Sequence, residues 1–481
     1  MRFPLALTLK IAKHIVGHKI KRTPRFAMVL QLEPLHTCNL TCTGCGRIRE
    51  YSTSLKDMVP LERCLEAAKE CDAPMVSICG GEPLIYPKIE ELVVGLRNQG
   101  RIIYICTNAM FMRKKMREYM AAHYDVSMEE KLGRLVSANL VTEKDAETIR
   151  KSDPAARAKV TIKPSKWMYW NVHVDGLEYT HDLIVEREGV FKECVEAIKM
   201  AKILDYQVAT NTTVYRETES AELEEMFKYL SWLGVDGHTI SPGYDYDAAK
   251  KDMVKRLGKD PKAFFLTRDL TRIKFKDIER WGQLFTIFGT PVYQEFLSGK
   301  RELTCTAWAI PTFNVRGWKA PCYLMTDGHY NGYQEMLTKV NWESYGVVNG
   351  VARDPRCENC MVHCGYDPSG ALGTNYQSGD NWKNFRYNFG IKPKPFPQGD
   401  KVFAFNGQSV GKGHLAEAKA AVAGAFAAAP KSVFQRNGHH DHSGSDAGAD
   451  TSQRDALLAK LGSNGTKSTT PTDGSTHGSE S

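Results

Sequence analysis

Three cysteines stand at Cys38, Cys42 and Cys45, in the string Cys-Asn-Leu-Thr-Cys-Thr-Gly-Cys. The spacing sets three thiols on one tight loop, directly after a short apolar run from Met28 to Leu32. Three thiolates can hold three irons of a 4Fe-4S cube and leave the fourth iron open to a substrate. Ferredoxin-type chains differ in spacing and supply a fourth cysteine that closes the cluster. Zinc is the competing metal, but it favours paired C-x2-C spacing and four ligands. No histidine lies just downstream, and His36 ahead of the first cysteine reads as a loop residue. A second group, Cys305, Cys322, Cys357, Cys360 and Cys364, lies toward the other end of the chain. Five thiols suffice for one further 4Fe-4S cluster. Zinc on Cys357, Cys360, Cys364 and one partner is the alternative, and reduced structural thiols are a third account.

Cys79-Gly80-Gly81-Glu82-Pro83-Leu84 follows the next apolar run, Met75 to Ile78. Two glycines let a backbone approach a ligand closely, and an acidic neighbour can accept hydrogen bonds from an ammonium group. Alone, the string also fits a plain strand-to-helix turn. Placed one β/α unit after C-x3-C-x2-C, it resembles the amino-group site of the radical S-adenosylmethionine (SAM) superfamily. That resemblance implies a 4Fe-4S cluster and SAM as cofactors, with Gly80, Gly81, Glu82 and Pro83 beside the SAM. Polar residues recur after later strands: Thr107-Asn108, His173 with Asp175-Gly176, Asn211-Thr212-Thr213 and Ser241-Pro242-Gly243. Such residues at the C-terminal ends of parallel strands line active sites. Asn108, Asp175 and Asn211 are therefore further candidates for cofactor contacts, although each could be a turn or a cap.

A longer set of strings is more specific. Leu32-Glu33-Pro34-Leu35 with Cys38-Asn39-Leu40, Val76-Ser77-Ile78, Cys106-Thr107-Asn108-Ala109, His173-Val174-Asp175-Gly176, Ile240-Ser241-Pro242-Gly243-Tyr244, Pro321-Cys322-Tyr323-Leu324 and Cys360-Met361-Val362-His363-Cys364-Gly365-Tyr366 resemble the adenosylhopane synthases of bacterial hopanoid biosynthesis. The resemblance implies a transferase that adds the 5′-deoxyadenosyl radical from SAM to the terminal alkene of diploptene, a C30 triterpene. It also implies a reductant of flavodoxin or ferredoxin type. The product radical must then gain a hydrogen atom, and the weak S–H bond of a thiol donates one readily. Cys106 ends the third strand and matches the family's Cys-Thr-Asn segment, so it is the candidate catalytic residue, with Cys79 its competitor. Cys64, Cys71 and Cys194 fall in helical stretches and read as core. The rival function is a radical SAM peptide-modifying enzyme with an auxiliary iron-sulfur cluster. Gly44 departs from the aromatic that many superfamily members carry before the third cysteine, so adenine contacts must come from elsewhere.

These residues need elements to hold them. Apolar strand-like runs alternate with helical stretches: Met28–Leu32, Met75–Ile78, Ile102–Cys106, Trp170–Val174, Gln207–Thr213 and Gly237–Ile240. Strands alternating with helices predict a parallel sheet covered by helices. The fold class is therefore α/β, a partial (β/α)6 radical SAM barrel with a Cys-rich C-terminal extension. Expected divisions are a basic amphipathic segment over 1–25, the barrel over 26–280 with an inserted helical segment at about 119–165, a Cys-rich domain over 281–370, and a low-complexity tail over 371–481. The tail's Gly/Ser/Thr/Asp composition cannot bury enough apolar surface to order itself.

The bulk numbers bound the rest. The 481 residues are 42% hydrophobic and 25% charged, ordinary for a globular protein. No run of apolar residues is long enough to span a bilayer and no secretory signal is visible, so a cytoplasmic location is expected, where the thirteen cysteines stay reduced. The net charge of +8 is moderate and local, and no nucleic-acid partner is expected. Arg2, Lys10, Lys13, Lys19, Lys21, Arg22 and Arg25 precede any acid, and Leu5, Leu9, Ala12, Val16 and Ile20 recur between them at helical spacing. A basic helix with an apolar stripe predicts peripheral contact with the cytoplasmic face of the inner membrane; a helix docked on the protein's own body is the alternative.

Overall fold

The computed structural model describes residues 4–51, 56–373 and 375–390. The expected tail beyond 390, including the His439-His440-Asp441-His442 tract, lies outside the described residues.

Each apolar run forms a short strand: β1 (Val29–Leu32), β2 (Met75–Ile78), β3 (Ile102–Thr107), β4 (Met168–His173), β5 (Gln207–Val214) and β6 (Gly237–Pro242). All neighbours pair in parallel, in chain order from β1 to β6. Near-continuous burial, as in Ile102 to Ile105, is what a strand covered on both faces requires. The crossover helices include Leu61–Cys71, Ile89–Asn98, Val190–Ile203 and Ser220–Trp232. Between β3 and β4 stand four helices, Met112–Ala122, Val126–Ser137, Glu143–Arg150 and Pro154–Arg157, the last three within the stretch of about 119–165 expected as an insertion. Asp125 and Thr142 cap two of them by accepting the Met128 and Asp145 amide N–H bonds.

The Cys-rich region is not a separate layer. Its strands β7 (Thr312–Asn314), β8 (Gly317–Pro321) and β9 (Thr326–Tyr330) continue the same sheet from the free edge of β1. β7 runs parallel to β1, β8 pairs antiparallel with β7, and β9 pairs antiparallel with β8. An unpaired β1 edge would expose a row of backbone donors and acceptors, and β7 covers it.

The tail also begins later than its composition suggests. A helix spans Asp380–Phe389, within the stretch expected to be low in complexity. Its first residue, Asp380, is buried against Arg301, with Nη2 and Oδ2 2.9 Å apart. That partner is 79 positions away in sequence, so local composition does not reveal it.

Alternate residues of each strand point into the barrel, and they stack in layers. Ile102, Tyr104, Tyr169 and Ala209 make an apolar layer at the N-terminal ends of the strands. The N-terminal helix (Leu5–Ile20) seals this end: Leu7 is fully buried in the same cluster, and Ile11 packs beside it. The expected docking face is thus present. The other apolar stripe, Leu5, Leu9, Val16 and Ile20, remains exposed. No helix among the described residues is long and apolar enough to cross a membrane.

Candidate active site

The cysteine loop leaves the C-terminal end of β1 and is zipped to the Gly-Gly-Glu turn after β2. Gly81 N donates to Leu35 O at 3.1 Å, and Glu82 N to Thr37 O at 3.0 Å. This explains both glycines. Gly80 has φ +109°, and a Cβ on it would sit 2.2 Å from Leu35 O; one on Gly81 would sit 2.0 Å from Thr37 O. The close approach that the sequence suggested is therefore made to the cysteine loop's own backbone.

The loop is also pinned from the far side. Thr43 N donates to Ile184 O at 2.8 Å, Thr43 Oγ1 to Glu186, and Gly46 N to the Tyr246 hydroxyl at 2.8 Å. Held this way, Cys38, Cys42 and Cys45 lie close enough to influence one another's ionisation. Burial pushes the Cys38 thiol up to about 12, with Glu82 adding to it, and raises Cys42 and Cys45 as well. Three such thiolates repel one another in a desolvated loop, and only a strongly positive group could hold them all ionised. Each of the three thiolates can bind a different iron of one cube, which leaves the fourth iron open. The donor set fits a 4Fe-4S cluster.

Glu82 is buried and ties the neighbouring strand ends together. Its Oε1 accepts from Leu84 N at 3.0 Å and Thr107 Oγ1 at 2.8 Å, and its Oε2 from Asn108 N at 2.9 Å. Burial pushes it up to about 7 against those three donors. A carboxylate has about four acceptor positions, so one is left for a ligand's ammonium. Pro83 opens the short helical turn that follows. Asn108 Nδ2 donates to Asn39 Oδ1 at 2.9 Å, which joins β3 to the cysteine loop. Asp175, fully buried, accepts from Thr213 N at 2.7 Å, and its other oxygen lies 2.8 Å from His173 Nε2. Burial would lower His173, but the adjacent Asp175 carboxylate outweighs it and raises the imidazole. Asn211 is partly buried opposite His173 in the strand register.

Below this rim lies a polar layer. Cys106 Sγ is 3.2 Å from Ser77 Oγ and receives a hydrogen bond from Asn171 Nδ2 at 3.3 Å. Cys79 is buried and reaches Gln31 Oε1 at 3.2 Å. Ser77 belongs to the Val76-Ser77-Ile78 string, whereas no motif marks Asn171, which precedes His173 by two on β4 and so shares its face. Cys64, Cys71 and Cys194 are buried on helices, as expected.

Aromatic side chains from a distant part of the chain stand against Gly44. Phe264 and Phe265 lie against Gly44, and Tyr215 stacks on Phe264 at 4.2 Å between centroids. Gly44 has φ +78°, and a Cβ there would stand 2.6 Å from Phe264. Gly44→Ala should cost about 1–2 kcal/mol in backbone strain alone and lower the iron bound per chain after anaerobic reconstitution. Sequence carried no signal for Phe264, which lies over two hundred positions away.

The five C-terminal cysteines are also brought together. Burial raises Cys305 and Cys364 well above the usual thiol range, and each feels at least two of the others. Gly365 leaves room for them, since a Cβ there would stand 2.6 Å from Cys305 Sγ. A buried network joins the two cysteine groups. Arg47 donates to Glu33 and, at 2.9 Å, to Tyr323 O, beside Cys322, while Lys319 Nζ reaches Tyr323 O at 2.7 Å. Burial would raise Glu33, but Arg47 more than offsets it and holds the carboxyl well below the usual range.

Residues 32–129 match the radical SAM superfamily, and residues 238–384 match a domain of unknown function (DUF3463). No curated protein matches the chain. Among solved structures the chain is similar to SuiB of Streptococcus suis bound to S-adenosylmethionine, with 16% identity and TM-score 0.39, covering 64% of this chain and 62% of that one. It is similar also to SuiB bound to precursor peptide SuiA, with 14% identity, TM-score 0.42 and 78% of each chain covered. A third is anSMEcpe with bound AdoMet and Cp18Cys peptide, with 16% identity, TM-score 0.40, and 75% of this chain and 96% of that one covered. At such scores these likenesses carry no functional weight. The matched domain spans the cysteine loop, the Gly-Gly-Glu turn and the β3 rim that binds them together, so the chain carries a radical SAM domain, whose superfamily uses a 4Fe-4S cluster and SAM.

Proposed function

We propose that this enzyme adds an adenosyl group to the terminal alkene of a C30 triterpene, diploptene, giving adenosylhopane. The cluster and SAM, when bound, supply the 5′-deoxyadenosyl radical. The observation that carries the reading is Cys106, a thiol held inside the barrel below the SAM-side rim. Burial raises its pKa, so it remains S–H at neutral pH despite the Ser77 and Asn171 hydrogen bonds that favour the thiolate. Addition forms one carbon–carbon bond and leaves a tertiary carbon radical. Cys106 breaks its S–H bond, a C–H bond forms, and the sulfur radical is returned to thiol by one electron from a flavodoxin or ferredoxin-type donor and one proton from solvent. Cys79 is the lesser candidate, because its thiol is engaged by Gln31. Glu82, Asn108, Asp175 and Asn211, with the Gly80–Gly81 backbone and Pro83, frame the SAM site. The sequence strings shared with the adenosylhopane synthases support the same assignment. Anaerobic reconstitution with diploptene, SAM and a reductant, read by mass spectrometry, should give the saturated adenosyl adduct. Sustained SAM cleavage with no adduct would overturn it.

One observation favours a second reading, modification of a peptide: the gathering of five C-terminal thiols, which alkene addition does not require. We assign Cys305, Cys322, Cys357, Cys360 and Cys364 to a second iron-sulfur cluster. Cys357→Ala or Cys360→Ala should then lower iron content to about half, leaving the loss of the other half to the N-terminal loop. Unchanged metal in both variants would remove this cluster.

A further inference from the structure

The N-terminal helix and the strand starts beneath it border an open cleft of about 360 Å³ at the end of the barrel opposite the cysteine loop. Lys10, Lys13, Lys21 and Arg101 line it, with one carboxylate, Asp72. Asp72 lies 2.7 Å from Arg101 Nη1, so it neutralises one cation and leaves three. Arg101 is 7% exposed, and its Nε has no hydrogen-bond partner; the same holds for the buried Nδ1 of His18. Buried polar atoms without partners are rare, and a site this cationic calls for an anion. Burial and the facing Arg101 charge both lower Lys10, as expected of a crowded cation.

The same helix presents an apolar stripe to the outside. Leu5, Leu9, Val16 and Ile20 are 45–77% exposed and recur at one-face spacing. On a helical wheel Lys13 borders this stripe on the cleft side and Lys19 on the other. Lys19 Nζ reaches over the Tyr376 ring, 6.0 Å from its centroid, and so meets the approach to the C-terminal helix. That helix also exposes aromatics: Trp382 is 61% and Phe385 49% exposed, and the Phe385 and Phe389 rings stack at 4.7 Å. Lysines flanking an apolar stripe beside exposed Trp and Phe have the makings of an interfacial surface.

We propose that the Lys10–Lys13–Lys21–Arg101 cleft binds the phosphate of an anionic phospholipid headgroup while the Leu5–Ile20 stripe enters the acyl boundary of the same membrane. The site uses no residue of the cysteine end, so it stands whether or not the proposed reaction does. It turns the cysteine end away from the surface, which makes the helix an anchor and not the mouth through which substrate enters.

Vesicle flotation of the full-length holoenzyme tests this, with phosphatidylcholine vesicles made with and without phosphatidylglycerol. Binding should require phosphatidylglycerol. Lys13→Gln should weaken it about fivefold, the worth of one cation near an anionic surface, Lys13→Arg should restore it, and Val16→Asp should abolish it, with SAM cleavage unchanged in all three. Equal binding to both vesicles, binding that survives Val16→Asp, or no binding at all would overturn the proposal, the last leaving another stretch of chain as the stripe's cover. Inorganic phosphate that raises the melting temperature of the parent protein but not of Arg101→Gln, without vesicle binding, would mark a free-anion site and equally overturn it.

Discussion

Replacing any one of Cys38, Cys42 or Cys45 by alanine should abolish 5′-deoxyadenosine formation. The three thiols occupy one loop pinned at both sides, by Leu35 and Thr37 against the Gly-Gly-Glu turn and by Thr43 and Gly46 against Ile184 and Tyr246. The loop cannot slide a different donor into a lost thiol's place. Asn39 already bonds Asn108, and Glu82 is engaged by three protein donors. Two thiolates leave two irons of a cube without protein ligands, so the cluster is lost along with the reaction. The check is iron per chain, the visible absorption of the reconstituted protein and 5′-deoxyadenosine by chromatography. Circular dichroism should be unchanged, because small-to-smaller substitution in a loop leaves the sheet intact. Full activity in any one variant would overturn the assignment.

Cys106→Ala should leave SAM cleavage and carbon–carbon bond formation in place while changing the product. The tertiary radical would then be quenched from either face or lose hydrogen, giving epimers and unsaturated or rearranged products. Cys106→Ser separates chemistry from packing. A serine keeps nearly the same volume and can still bond Ser77 and Asn171, but its O–H bond is too strong to donate a hydrogen atom. Both variants should fail alike if Cys106 is the donor, whereas only alanine should matter if the residue merely fills space. In deuterium oxide the parent enzyme should place one deuterium at the quenched carbon, since the thiol hydrogen exchanges with solvent. Clean formation of a single saturated isomer by Cys106→Ser would rule the role out.

Much of the catalytic end was legible in the chain because its signals are local. The C-x3-C-x2-C spacing confines three thiols to one loop whatever surrounds it. The short apolar runs between amphipathic helices dictate a parallel sheet, and a parallel sheet brings all its strand ends, Asn108, Asp175 and Asn211 among them, to one rim. Alternation along β3 follows from the two-residue period of any strand, which puts Cys106 on the same face as Tyr104.

What tertiary structure alone decided are the contacts made across long stretches of sequence. Phe264 and Phe265 come to rest on Gly44 because the chain after β6 folds back over the cysteine loop. The Cys-rich region joins the main sheet because β1 has a free edge, which no residue type announces. Asp380 holds a helix where composition predicts none, through its partner Arg301. The N-terminal helix shows the division within one element. Its periodicity specifies an apolar stripe among lysines, but which stripe would be buried depended on the barrel floor of Ile102, Tyr104 and Tyr169, which takes Leu7 and leaves Leu9, Val16 and Ile20 facing outward. Sequence sets which side chains a helix presents together, and only the surface it meets selects the face that loses water.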